Sequence, residues 1–160
     1  MRPARLPSLG VLVILLSAWP QARAAERVFQ TWHPWQMDSV LVAWALTQVP
    51  RREPLVFESI VRGAPISPER AIDTPDSPYR RTGQRTAFEE AVRQVGVTHP
   101  CVPRLRDAVR VIELAAWRKP EFPVVEAFEA RLLRVIPNQP MRGGLEAALA
   151  EVERYCGEAK

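Results

Sequence analysis

Histidine, cysteine and lysine each occur only twice, as His33 and His99, Cys101 and Cys156, and Lys119 and Lys160. Two histidines are too few for a closed His-rich zinc site. A hydrolytic triad needs a histidine held beside a nucleophile, and neither histidine lies in a G-x-S-x-G or cysteine-protease context. The chain also lacks C-x-x-C, H-E-x-x-H and a Gly-rich phosphate loop. There is no repeat of fixed period and no low-complexity tract. These absences close the familiar routes to nucleophilic, zinc and nucleotide chemistry.

Residues 1–24 have the three parts of a secretory signal: Arg2 and Arg5, an apolar core from Leu9 to Trp19, and Ala22-Arg23-Ala24 as an A-x-A cleavage site. The apolar core is short of the roughly twenty residues that span a bilayer, and no cysteine follows the site to take a lipid. The expectation is export to the periplasm or beyond, without a stable membrane anchor. Arg2, Arg5 and Arg23 supply three of the formal +4, so the remaining chain is near +1. Its arginines alternate with glutamates, whereas a nucleic-acid surface needs a sustained basic patch, so no nucleic-acid partner is expected. Arginine takes nearly all the cationic positions, and its planar fork suits oxyanions better than lysine does.

Residues 25–160 suit one domain with a single core. A strand is expected at 27–31, where Val28, Phe29 and Thr31 favour extended backbone. The spacing predicts a helix over 37–48 that stops before Pro50 and is apolar on all sides, hence central. LVFESIV reads as a buried strand, and Ser67-Pro68 opens one or two helical turns. Residues 73–84, DTPDSPYRRTGQ, are a loop of the length that often carries function. Thr86 and Glu89 form a capping box for a helix closed by Gly96. Pro103 opens a helix with Leu105, Val109, Ile112 and Ala116 on one face, and Pro123 opens another that ends before Pro137. The last helix runs over 144–156. The fold class is mainly α, a compact bundle of about five helices with one or two short β-strands. Cys101 and Cys156 either pair in an oxidising compartment or stand as two buried thiols.

Asp38 opens the most apolar helix, preceded by Trp32, His33, Trp35 and Gln36. As a cap of its own helix it is worth about 1 kcal/mol. A functional Asp38 would instead pair with an arginine or ligate a divalent metal, with His33 as the second candidate ligand. Arg80, Arg81 and Arg85 surround Gly83 just upstream of a helix start, where guanidinium groups and free N–H groups together suit an oxyanion. The plain alternative is that they pair with Asp73, Asp76 or Glu89 and pin the loop. Glu89, Glu90, Glu151 and Glu153 are expected on exposed helix faces.

Read in order, WQMDSVLVAWAL, LVFESI, AIDTPDSPYRRTGQRTAFEEAVRQVGV and LRDAVRVIELA resemble the C-terminal domain of the chromate-resistance protein ChrB and the exported proteins grouped with it. Asp38, Ala43-Trp44, the strand at 55–60, Asp73, Gly83 and Phe88 match the family's order, and the resemblance spans residues 31–156. The family's histidine two residues before the aspartate is Gln36 here, and the one two residues before the glycine is Arg81. Regulatory members carry a further N-terminal region that the signal-like segment replaces, so transcriptional control does not transfer. The resemblance implies an exported domain for chromate or oxyanion resistance, binding a small oxyanion through Trp35, Gln36, Asp38, Arg80, Arg81, Gly83 and Arg85 rather than by covalent catalysis. Two alternatives stand beside it. One is a metal-dependent or thiol redox enzyme; the other is an interaction domain with a degenerate site, in which Asp38 caps its own helix and Arg81 faces solvent.

Overall fold

A helix with apolar residues all round has no face to offer water, and α1 (Met37–Thr47) is buried at every position from Met37 to Leu46. The computed structural model describes residues 25–158. Residues 1–24, expected from sequence to be a secretory signal, lie outside the described residues. Around α1 pack α2 (Ala87–Val95), α3 (Val102–Leu114), α4 (Pro123–Val135) and α5 (Glu146–Gly157), each of which touches it. Trp44, Phe88, Leu105, Phe128, Leu132 and Val152 are fully buried among these helices. No helix among the described residues is long and apolar enough to cross a membrane.

A three-stranded sheet completes the fold, in the order β1 (Arg27–Trp32), β2 (Leu55–Ile60), β3 (Met141–Arg142). β1 and β2 are parallel, with Phe29 opposite Phe57 and Trp32 opposite Ile60. Parallel strands need a crossover, and α1 supplies it. β3 joins antiparallel, Ser59 opposite Met141 and Glu58 opposite Arg142. The two-residue β3 escapes detection by alternation, because two residues are too few to show a period. The chain reaches α5 from β3 through Gly143 and Gly144, both at positive φ. At Gly144 a Cβ would also come within 2.7 Å of the Met141 side chain. For that reason α5 begins at Glu146, two residues later than periodicity suggests.

The capping box forms as expected: Glu89 N donates to Thr86 Oγ1 at 3.2 Å, Thr86 N donates to Glu89 Oε2 at 3.0 Å, and Gly96 closes α2 at φ +70°. Ala116 does not continue the α3 face. Pro120 would meet its carbonyl in an α-helix, and the chain tightens into a 3-10 turn over Ala116–Glu121. Cys101 and Cys156 are joined in a disulfide that ties the start of α3 to the end of α5.

The glutamates correct a simple reading of helix faces. Glu89 and Glu90 are buried. Arg110 Nε donates to Glu89 at 2.8 Å, and Arg93 and Gln94 donate to Glu90. Arg131 holds the part-buried Glu151 at 2.6 Å; Glu153 is exposed as expected, and there it accepts the indole N–H of the buried Trp44 at 2.6 Å. Glu89 and Glu151 sit where a neighbouring helix brings an arginine, which charge along one helix cannot reveal, whereas Arg93 and Gln94 belong to Glu90's own helix.

Candidate functional site

The carboxyl ends of β1 and β2 face the start of α1, and a cleft of about 400 Å³ opens there. Crevices at this end of parallel strands are the usual place for ligands in open sheets. Thr31, Trp32, His33, Gln36 and Ser39 line one side of it. Arg62, just beyond β2, the segment Asp73–Thr74–Pro75, Arg80, Arg81 and Glu113 of α3 line the rest. The amino end of α1 therefore contributes its partial positive charge to the cleft.

α1 is not capped by Asp38. The Ser39 hydroxyl does that work, accepting from Gln36 N and donating to Gln36 O, both at 2.9 Å. Asp38 turns instead to α2, where Ala87 N donates to Oδ2 and Phe88 N to Oδ1, both at 2.7 Å. With Glu89 N held by Thr86 Oγ1 and Glu90 N by Thr86 O, the amino end of α2 is already satisfied. The expectation of an oxyanion site on the free N–H groups of α2 is thus corrected: a carboxylate of the protein occupies it.

Arg81 lies at the centre of the cleft's charges. Its Nη2 is 2.7 Å from Glu113 Oε2 and 4.0 Å from Asp38 Oδ2. Asp38 is fully buried, and burial pushes its carboxyl up to about 6. The two N–H bonds from α2 pull against that rise, Glu113 adds to it and Arg81 opposes it. Asp73 is pushed further, to about 7, by burial first and then by the negative charges of Asp38 and Glu113, with Arg81 again opposing. Its backbone sits at φ +48°, held by Asp73 N donating to Tyr79 O at 3.0 Å. A residue with a Cβ pays about 1 kcal/mol or more for that conformation, which keeps Asp73 at the cleft. Arg80 is braced by its bond to Pro75 O. As pH falls, Arg62, Arg80 and Arg81 keep their charge while Asp73 and then Asp38 lose theirs, so the cleft becomes more positive.

Of the residues expected from sequence, Gln36, Arg80, Arg81 and His33 line the cleft, and Asp38 stands behind it against Arg81. Trp35, Gly83 and Arg85 do not line it. Trp35 is buried in the hydrophobic core, because an indole beside α1 gains more from packing than from solvent. Gly83 turns the chain at φ +55° beside Gln84 on another face, and Arg85 lies 3.8 Å from Glu90. Arg62 and Glu113 carry no expectation from sequence, and Asp73 carries one only as a loop residue and a candidate partner for the arginines. Glu113 had a signal, since it interrupts the apolar run Val111-Ile112-Glu113-Leu114; Arg62 had none. His33 Nδ1 is buried without a hydrogen-bond partner among the described residues. Among the described residues, no group of three or more His, Cys, Asp or Glu is arranged to hold a metal ion. Neither cysteine lines the cleft, and both are consumed in the disulfide. No family model matches the chain, and no curated protein and no solved structure matches it.

Proposed function

We propose that the protein is an exported, ChrB-like domain that binds a small oxyanion such as chromate and so contributes to oxyanion resistance. Binding, without covalent chemistry, takes place in the arginine-lined cleft. One observation carries this reading: the Arg81 guanidinium and the Asp38 carboxylate, 43 residues apart in sequence, meet at 4.0 Å beside that cleft. The pairing is what an anion site containing an aspartate requires, because a bare carboxylate would repel its ligand. It also supports the resemblance, since positions 36 and 81, where the family has histidines, are brought to the same cleft as Asp73. Arg62 and Arg80 form no ion pair among the described residues, which leaves their charge for a ligand.

Calorimetry with chromate, sulfate and divalent cations tests this. Chromate is expected to bind, and Arg81→Ala to weaken it roughly tenfold to a hundredfold, the worth of one or two charge-assisted hydrogen bonds. The side chain is 42% exposed, so the variant keeps its fold. Equal binding by wild type and variant would remove Arg81 from the site. Uptake of a divalent cation with no anion binding would replace this reading by the metal-dependent one.

A further inference from the structure

Three arginines explain attraction for an anion, but the same cleft also presents acceptors. Asp73 lines it, and no donor among the described residues bonds its carboxyl. Asp38 and Glu113 differ in this respect, being engaged by α2 N–H groups and by Arg81. An oxyanion that touches Arg80 and Arg81 thus meets a second oxygen-only group at Asp73. Two bare oxygens repel; a proton between them turns repulsion into a hydrogen bond.

Resting on the oxyanion reading above, we infer that the cleft takes its ligand together with one proton, shared between the Asp73 carboxyl and an oxygen of the anion. The proton arrives with either partner. A hydrogen oxyanion donates it to the Asp73 carboxylate, or a protonated Asp73 donates it to a fully deprotonated oxyanion. Both routes give the same complex, so the balance of atoms and charge does not depend on the route. Burial and the facing charges hold Asp73 in its protonated form up to about pH 7. The charged and titratable groups around it are Asp38 on α1, Glu113 on α3, His33 after β1, Arg62 after β2, and Arg80 and Arg81 in its own loop.

The consequence is a substrate class that changes with pH. Below neutrality the cleft accepts sulfate-like and phosphate-like anions alike, because Asp73 supplies the proton. At alkaline pH it accepts only anions that still carry one, as hydrogenphosphate and hydrogenarsenate do and sulfate does not. Titration calorimetry of the full chain with sulfate and with inorganic phosphate, near pH 6 and at about pH 8.5, separates the possibilities. Sulfate affinity is expected to fall roughly thirtyfold across that range, tenfold for each unit above the Asp73 value, while phosphate changes about threefold or less. The phosphate arm reports what Asp38 and general charge contribute; the sulfate arm adds the missing proton. Asp73→Asn presents an amide N–H at every pH, and its sulfate affinity is expected to change between the two conditions by no more than the roughly threefold seen with phosphate. Parallel loss of the two anions, or an unchanged sulfate loss in Asp73→Asn, would overturn proton sharing and leave oxyanion binding standing. Failure of both anions to bind at either pH would overturn the binding reading and this one with it.

Discussion

Replacing Cys101 and Cys156 together by serine is expected to lower stability by about 4 kcal/mol, the largest effect of any change considered for this chain. The disulfide closes a loop of sequence separation 55, and opening it returns that loop's freedom to the unfolded chain. Within the loop lie all of α3 and α4 and most of α5. Their packing includes Phe128 stacked on Tyr155 at 4.0 Å between ring centres, with Arg104 over the other side of Tyr155. The bridge brings Arg104 within a few links of Tyr155, residues that are otherwise remote in the chain. Urea unfolding of wild type, of wild type under reductant and of the double variant checks the effect. The second and third curves should coincide, displaced well below the first. A difference under 1 kcal/mol would mean that α3, α4 and α5 associate without help from the bridge.

Asp38→Ala is expected to cost about 3 kcal/mol, although the residue is an acidic side chain in a hydrophobic interior. Its two oxygens serve Ala87 N and Phe88 N, and removing them leaves two buried donors without partners, each worth 1 kcal/mol or more. Relief of the burial of a charge, and of its repulsion with Asp73 and Glu113, offsets part of this. A residue capping only its own helix would cost about 1 kcal/mol and loosen α1. The difference is visible by hydrogen exchange. In Asp38→Ala the amides of Ala87 and Phe88 should lose protection while those of early α1, held by Ser39 and Gln36, keep it. Loosening confined to α1 would contradict the contact between helices.

How much of this could be read without a structure depended on how local each cause was. Apolar residues all round α1, the Thr86–Glu89 box, Pro103, Pro123 and Gly96 act within one turn of chain, and the helices they predict are present. β3 and the partners of Glu89, Glu151 and Glu153 depend on elements distant in sequence, so no periodicity announces them. The site shows the same division. Gln36, Asp38, Arg80 and Arg81 were singled out because polar groups beside an apolar helix and clustered arginines are visible as text. Sequence leaves open whether Asp38 caps its own helix or pairs with an arginine and does not show its reach to α2, since an aspartate at a helix start gives the same text in each case. Trp35 was taken for a cleft residue on its neighbours' account, whereas its own apolar area places it in the core. Asp73 gave no sign in sequence of its positive φ or of the carboxyls around it, which come from α1 and α3.

The central claim is that an oxyanion sits between the carboxyl ends of β1 and β2 and the 73–81 loop. The most direct measurement is a crystal structure of the full chain grown with chromate, in which the anomalous scattering of chromium locates the ion without interpretation of shape. The account predicts one chromium peak in the cleft, with its oxygens in hydrogen-bond reach of Arg81 and of Arg62 or Arg80, and facing Asp73. A well-ordered chromium bound elsewhere with the cleft filled only by water, or a peak that persists in the cleft of Arg81→Ala crystals at equal height, would contradict it.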